Sequence, residues 1–194
     1  MTRREQILRA TADIIRREGL TALTTKKVAI EAGCAEGTIF NQFGDKGGLL
    51  AAVLASALPE TQSLYESVNE VRQLDLGAAL TIVILKLLDF YRASYPLVAS
   101  ALAERTLFDR YAAAHREKGT GPHQSWTVVR GLMQAYAARG ALRHDVDIDM
   151  LALQVVGACQ NAVWIELVNG PEVVGLSGQE FAERLAEAVA RQAM

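Results

Sequence analysis

Apolar side chains recur at intervals of three and four residues along most of the chain, which is the spacing of one face of an α-helix. Near the N-terminus this stripe consists of Ile7, Leu8, Ala12, Ile14 and Ile15. A second clear stripe consists of Leu76, Leu80, Val83, Leu87 and Phe90. Runs that alternate apolar and polar residues, as half-buried β-strands do, are absent from the sequence. The pattern therefore predicts an all-α protein.

Capping and helix-breaking residues divide this pattern into about nine predicted helices. They span residues 3–18, 25–32, 36–42, 75–94, 97–116, 123–139, 147–168 and 179–193, and a further long helix begins at residue 46. Gly19 has the backbone freedom that a helix C-terminus needs. The side-chain oxygens of Thr24, Asp45 and Asp147 can each cap a helix N-terminus. Pro96 lacks a backbone N–H, so it predicts the end of the helix over 75–94.

The composition narrows the class of protein. The chain has 194 residues and a mass of 21.0 kDa, with 51% hydrophobic and 22% charged residues, which excludes a disordered or collagen-like chain. Cys34 and Cys159 are too few for a disulfide framework, and no apolar run follows the charged N-terminus, so we expect no signal peptide. Polar residues interrupt the apolar stretches 80–88 and 151–168, so we expect no membrane-spanning helix and a cytoplasmic location.

The charge is unevenly distributed along the chain. Residues 1–55 carry eight Lys or Arg against six Asp or Glu, whereas residues 56–194 carry twelve against sixteen. A basic first quarter followed by an acidic remainder points to a polyanionic partner for the N-terminal part alone. The predicted helices also lengthen beyond residue 56. Together these features predict two domains, over residues 1–50 and 51–194.

Residues 24–46 have the organisation of a helix-turn-helix. Two short predicted helices are separated at Gly33, which can take the left-handed conformation that a tight turn needs. The inward side carries the residues that would hold the helices together: Val28, Ala32, Cys34 and Ile39. The outward side of the second helix carries small and polar residues suited to base edges and phosphates: Glu36, Gly37, Thr38, Asn41 and Gln42. The alternative is an ordinary helical hairpin within a small-molecule-binding or catalytic protein.

This segment resembles the DNA-binding domain of the TetR (tetracycline-repressor-like) family of bacterial transcriptional regulators, over about residues 5–52. The matching positions are Thr24-Thr25, Val28-Ala29, Ala32-Gly33, Gly37-Thr38, Phe43 and Lys46. The resemblance implies a three-helix DNA-binding domain, with its motif at about residues 25–44, followed by a helical domain for ligand binding and dimerisation. It implies a ligand-responsive regulator, most simply a homodimeric repressor that a small molecule releases from a palindromic operator in double-stranded DNA.

The predicted DNA contacts divide into two roles. We expect Thr38, Asn41 and Gln42 to face bases, while the phosphate anchors are Thr25, Lys26, Lys27 and Lys46. Glu36, Gly37 and Phe40 complete the predicted set. The chain also departs from the family pattern. Phe40 stands where a Tyr hydroxyl usually contacts phosphate, Gln42 replaces a common aromatic residue, and Glu36 replaces a frequent Lys and would repel phosphate. Gly47-Gly48 stands where residues that favour helix are usual.

The C-terminal part carries two further predictions. The helix over 147–168 is apolar on nearly every side, so one side should pack on its own domain while the other, with the helix over 179–193, meets a second copy. A mostly apolar pocket for a small, largely apolar or aromatic effector would be lined by Phe90, Tyr91, Arg105, Phe108, Trp126, Met133, Gln160 and Trp164. No catalytic motif or metal-ligand spacing appears, so we expect no enzyme activity, no cofactor and no metal.

Overall fold

The computed structural model describes residues 1–54, 56, 59–170 and 175–194. Within these residues it contains no β-strand, so the all-α prediction is confirmed. In the part of the chain that the structure describes, two short 3₁₀ helices, Leu20–Ala22 and Val71–Gln73, accompany ten α-helices. The α-helices are α1 (Arg3–Glu18), α2 (Thr25–Glu31), α3 (Glu36–Phe43), α4 (Lys46–Leu54), α5 (Pro59–Glu70), α6 (Leu76–Leu102), α7 (Arg105–Lys118), α8 (His123–Ala138), α9 (Ile148–Asn169) and α10 (Gly178–Ala193).

The predicted caps are present at the helix ends. The Thr24 hydroxyl accepts a hydrogen bond from the Lys27 backbone N–H at 3.1 Å, and the Asp147 carboxylate accepts one from Met150 at 3.0 Å. Helix α1 ends at Gly19, whose φ of +80° lies outside the range that other residues readily adopt. These contacts satisfy backbone groups that a helix end leaves without a partner, which is why α1, α2 and α9 begin and end within one residue of the prediction.

The prediction that Pro96 ends a helix is wrong, because Pro96 lies inside α6. A proline has a φ compatible with a helix, so its cost is one lost hydrogen bond and a local clash. Leu97 is almost fully buried and Ala93 is also buried, and this packing offsets that cost. The chain leaves the helical conformation only at Glu104, where φ is −131° and ψ is 116°. The predicted helix over 97–116 is therefore the end of α6 followed by α7.

Packing contacts divide the chain into two compact units. The N-terminal unit consists of Met1–Ala57 and Ala93–Gly121, and the C-terminal unit of Leu58–Arg92 and Pro122–Met194. Helix α6 contributes to both. Residues 93–121 therefore pack with the N-terminal residues, a grouping that a boundary at residue 50 does not include. The functional division into 1–50 and 51–194 stays a prediction.

Each unit has its own apolar core. In the N-terminal unit the largest fully buried side chains are Ile7, Ile14, Leu23, Ile39 and Leu49. In the C-terminal unit they are Leu80, Ile84, Leu87, Leu88, Leu132, Met133 and Tyr136. The Tyr136 hydroxyl donates to the Leu74 carbonyl at 2.7 Å, so the polar end of this buried ring has a partner. Helices α8 and α9 form the most extensive helix pair of the molecule.

Candidate nucleic-acid interface

Helices α2 and α3 form the predicted helix-turn-helix. The turn between them contains Gly33 at a φ of +64°, and the Cys34 backbone N–H donates to the Ala29 carbonyl at 2.9 Å. Val28 and Ile39 are fully buried between the helices, whereas Ala32 and Cys34 are half-buried. The Arg3 guanidinium donates to the Ala32 carbonyl at 3.1 Å and so binds the C-terminal end of α2 from the start of α1. The geometry of the motif is thus fixed by both apolar packing and caps.

One side of α3 is exposed and the other is buried. Ile39 is only 1% exposed and faces the core of the unit. Gly37, Phe40, Asn41 and Gln42 are exposed, and Glu36 and Thr38 are half-buried. Residues three and four positions apart share a helix face, so Gly37, Phe40 and Asn41 form one outward stripe. The residues predicted to face bases therefore lie on the accessible side, with Thr38 at its edge.

The predicted phosphate anchors differ in their surroundings. Lys26 and Lys46 are exposed, as a residue that reaches for a phosphate must be. The Lys27 ammonium forms an ion pair with Glu18, and the Thr25 hydroxyl donates to the Glu36 carboxylate at 2.5 Å. Thr25 and Lys27 are thus already bonded within the protein. Any contact of theirs to phosphate would have to exchange or share these hydrogen bonds.

A cluster of charged residues that the sequence analysis missed joins α1 to α2. The Arg17 guanidinium donates to both carboxylate oxygens of Glu31, at 3.0 and 2.9 Å, and also contacts Glu18. The hydrogen bond from Lys27, then that from Arg17, holds the pKa of Glu18 below its usual value. Arg17 lowers the pKa of Glu31 in the same way. The Lys27–Glu18 pair spans 9 positions and the Arg17–Glu31 pair spans 14, so no helical spacing in the sequence could have indicated these two pairs.

A second missed contact lies where α3 meets α4. The Asp45 carboxylate accepts a hydrogen bond from the Gly48 backbone N–H at 2.6 Å and one from Arg110 of α7 at 3.3 Å. The Gly48 hydrogen bond is the main reason why the pKa of Asp45 is lowered. A Cβ atom at Gly48 would lie 2.1 Å from the Phe43 carbonyl oxygen, and one at Gly47 would lie 2.8 Å from Arg110. The Gly47-Gly48 pair therefore permits this close packing.

A cavity of about 360 Å³ opens beside this contact in the N-terminal unit. Its lining residues are Leu20, Asp45, Lys46, Gly47, Leu50, Glu104, Thr106, Leu107 and Arg110. Its lining combines charged side chains of both signs with the apolar side chains of Leu20, Leu50 and Leu107. None of the eight residues predicted for an effector pocket lines it.

The predicted effector-pocket residues are distributed over both units. Arg105 and Phe108 lie on α7 in the N-terminal unit, where Arg105 is exposed and pairs with Asp109 at 3.4 Å. The other six belong to the C-terminal unit: Phe90, Tyr91, Trp126, Met133, Gln160 and Trp164. Phe90 packs edge-on against Tyr91 with ring centroids 5.1 Å apart, whereas Met133 is fully buried and Trp164 is exposed. The role of these eight residues as an effector pocket stays a prediction.

The hydroxyl of Tyr91 is buried and forms a hydrogen bond with another buried hydroxyl. It donates to the Ser125 hydroxyl at 2.7 Å, and Ser125 in turn donates to the Pro122 carbonyl at 3.1 Å. Both side chains are buried. A buried polar pair beside apolar rings is the kind of group that orients a ligand in a mostly apolar pocket.

Helix α9 exposes large apolar side chains near both of its ends, separated by the outward-facing Gln154, Gly157 and Asn161. Seven residues of α9 are buried: Leu151, Ala152, Val155, Val156, Cys159, Ala162 and Val163. On the opposite side the large exposed residues are Met150, Leu153, Trp164, Leu167 and Val168. Trp164 is 57% and Val168 62% exposed, although burial is favourable for both. By length and composition α9 is long and apolar enough to cross a membrane, with a mean hydropathy of 1.4. A core helix of a globular unit has the same properties, and the buried side of α9 fits such a helix.

Among the described residues, no group of three or more His, Cys, Asp or Glu is placed to hold a metal ion. Cys159 is fully buried, and this burial raises the pKa of its thiol to about 12. Cys34 is half-buried in the turn. The described residues thus place no metal site at the interface.

Comparison with known proteins gives a consistent result for the N-terminal region. Residues 7–53 match the sequence model of bacterial regulatory proteins of the TetR family. The HTH-type transcriptional regulator BetI of Stenotrophomonas maltophilia is 41% identical over 70 residues, which are 36% of this chain and 34% of BetI. The match therefore spans about a third of that curated relative.

Solved structures extend the likeness to the whole chain at the level of the fold. A TetR-family transcriptional regulator from Mesorhizobium loti superposes with a TM-score of 0.76 at 18% identity, over 97% of this chain and 93% of that one. The regulator FadR of Bacillus subtilis, solved in complex with stearoyl-CoA, gives a TM-score of 0.67 at 16% identity, over 96% and 97%. At such low identity these likenesses concern the fold alone.

Proposed function

We propose that this chain, whose N-terminal region belongs to the TetR family of bacterial regulatory proteins, is a DNA-binding transcriptional regulator controlled by a small molecule. The observation that carries the proposal is the accessible face of α3. It presents Gly37, Asn41 and Gln42 outward on a short helix whose position is fixed by a buried Ile39 and the Gly33 turn. In a helix-turn-helix the second helix enters the major groove, where amide side chains can read base edges.

The exposed charges near α3 support the division of DNA contacts into two roles. Lys26 at the start of α2 and Lys46 at the start of α4 are the exposed cations of the predicted set. Contacts to phosphate would position the domain, while Asn41 and Gln42 would distinguish bases. Thr25 and Lys27 would bind phosphate after exchanging their present partners, Glu36 and Glu18. The carboxylate of Glu36 would repel the phosphates.

A second copy of the chain is the partner that best fits the exposed apolar side chains of α9. From Met150 to Val168 these side chains extend over about 27 Å at the rise of an α-helix. Gly157 lies on this side with no atom within 4 Å of a Cβ built on it, so a partner helix can approach closely there. We propose a two-fold dimer through α9 and α10. Two recognition helices would then bind two half-sites of a palindromic operator, which one short helix alone would bind weakly.

The effector is proposed to bind in the C-terminal unit. The apolar rings of Phe90 and Tyr91 beside the buried Tyr91–Ser125 hydrogen bond suit a small, largely apolar or aromatic molecule. The stearoyl-CoA complex of the Bacillus subtilis regulator supports testing acyl compounds first. An effector that prefers a dimer with another spacing of its recognition helices must weaken DNA binding, because coupling is reciprocal. The protein would act in the cytoplasm as a repressor and not as an enzyme.

Selection of bound duplexes from a random DNA pool tests this proposal. The expected result is enrichment of a palindrome whose half-site centres are one helical turn, about 34–36 Å, or a multiple of it apart. The Asn41→Ala variant should enrich a different base at one position in each half-site. Recovery of random sequences with no enrichment would contradict the proposal.

A further inference from the structure

The most unusual residue on the accessible face of α3 is Phe40. Its side chain is 48% exposed, although an aromatic ring of this size gains free energy from burial. Its neighbours on the same stripe are Gly37 and Asn41, which offer a bare backbone and an amide. Within this unit Ile39, not Phe40, fills the core side of α3. The packing of the unit therefore does not explain why a phenylalanine stands at position 40.

The position of the ring on the helix limits what it can touch. Helical side chains lean towards the N-terminus of their helix, so a side chain at position 40 lies on the Gly37 side of α3. A Cβ built on Gly37 meets no atom within 4 Å, so the turn that contains Gly37 is open. The N-terminal residues of a recognition helix are those that reach base edges. Phe40, one turn further along the same stripe as Gly37, is the large apolar side chain that α3 exposes.

The chemistry of the major groove offers such a ring one apolar partner. Base edges there carry hydrogen-bond donors and acceptors, and the C5-methyl group of thymine is the apolar exception. A phenyl ring has no donor or acceptor with which to bind a phosphate or the other base edges. Burial of a methyl group against the ring would remove apolar surface of both from water.

We infer that Phe40 is a specificity-determining residue that recognises the methyl group of a thymine in each operator half-site. The inference rests on the proposed function, because it takes the outward face of α3 as the surface that meets DNA. Asn41, adjacent on the same face, would pair with an adenine through its N6 and N7 atoms. The half-site should therefore contain an A·T pair for each of these residues.

The test replaces thymine by deoxyuridine, which removes the methyl group and leaves base pairing unchanged. In a duplex selected by the wild-type protein, each thymine is replaced in turn and the Kd is measured. Loss of one buried methyl group should weaken binding about fourfold, and loss of its counterpart in both half-sites about fifteenfold. Phe40→Ala should bind the thymine and deoxyuridine duplexes equally well.

Two variants control for indirect effects. Phe40→Tyr keeps the ring and should still distinguish thymine from deoxyuridine. Asn41→Ala should bind more weakly but retain the same discrimination, because it leaves the ring in place. Thermal unfolding of each variant verifies that the domain is folded, as expected for changes at exposed positions.

The outcomes separate this inference from the proposed function. If the wild-type protein selects an operator but tolerates deoxyuridine at every position, Phe40 does not recognise a methyl group. The same conclusion holds if Phe40→Ala retains the full discrimination. If the wild-type protein selects no duplex, the proposed function itself fails, and the inference fails with it.

Discussion

Helices α3 and α9 both bury one side and expose the other, but the exposed sides differ in chemistry. The exposed side of α3 carries the polar residues Asn41 and Gln42 with one aromatic ring. The exposed side of α9 is richer in large apolar side chains, which include Leu153 and Trp164, although Gln154 and Asn161 also lie on it. A polar face can form hydrogen bonds with a nucleic acid, whereas an apolar face gains most by being removed from water. The comparison supports the proposal of a DNA partner for α3 and of a second copy of the chain for α9.

The two helices are also held in place differently. Helix α3 has eight residues and buries only Ile39 completely, so its position depends on its neighbours, namely the Gly33 turn, the Thr25 hydroxyl and Arg4 stacked on Phe43. Helix α9 has 22 residues and buries seven of them. A short helix positioned by contacts with other elements can be displaced by small changes in those contacts. This suits an element whose affinity for DNA must be switched.

The largest expected difference between the regions of α3 and α9 is the rate at which their cysteines react with an alkylating reagent. Burial raises the pKa of Cys159 to about 12, so at pH 8 its reactive thiolate should be about a thousandfold scarcer than that of an ordinary thiol. Cys34, half-buried in the turn, should react first with iodoacetamide, as followed by mass spectrometry. In denaturant the two cysteines should react equally. Fast labelling of Cys159 in the native protein would contradict the packing of the inner side of α9.

Leu153→Arg places a charge on the exposed apolar side chains of α9 and should convert the proposed dimer into a monomer. The loss of the second recognition helix should weaken operator binding by at least about a hundredfold, because the two half-sites no longer bind together. Light scattering at micromolar concentration measures the mass, and a binding titration measures the Kd. Gln134→Arg adds the same charge at an exposed position of α8 and should change neither. A Leu153→Arg variant that remains dimeric would place the interface elsewhere.

Gly37→Ala tests whether the open turn of α3 meets DNA. Alanine favours a helix over glycine, and the space at Gly37 is free, so the free energy of unfolding should rise by about 0.5–1 kcal/mol. Operator affinity should nevertheless fall about tenfold, because the added methyl group crowds the approach to the bases. Gly131→Ala in α8, where the space is also open, should give the same gain in stability and leave DNA binding unchanged. Equal DNA binding by both variants would show that this turn does not approach DNA.

Glu36→Gln should have the smallest effect. It removes a negative charge near the phosphates while keeping an oxygen that can accept the Thr25 hydrogen bond. Binding to every duplex should strengthen about two- to threefold, as expected for a charge several ångströms away in water. Glu70→Gln, at an exposed position on α5, should leave the Kd unchanged. If Glu36→Gln weakens binding instead, the carboxylate has a favourable role at the interface.

Features that depend on residues close together in the sequence were predictable, whereas features that depend on long-range packing were not. The helix-turn-helix follows from Thr24, Gly33 and the apolar spacing around Ile39, all of which act over a few residues. Pro96 failed as a helix end because burial of Leu97 outweighs its local cost. The contact of Arg110 with Asp45 spans 65 positions, so nothing in the sequence pattern indicates it. An effector pocket would also depend on such long-range packing, which the sequence pattern does not show. The eight residues predicted to line it belong to two different units.

The most direct test of the account measures binding of the selected operator and of a scrambled duplex over a range of salt concentrations. The wild-type protein should prefer the operator by at least about a thousandfold. Asn41→Ala should lose most of this preference, whereas Lys46→Ala should weaken binding to both duplexes alike and reduce the salt slope by about one. Equal affinity of the wild-type protein for both duplexes would contradict the claim that the accessible face of α3 reads DNA sequence.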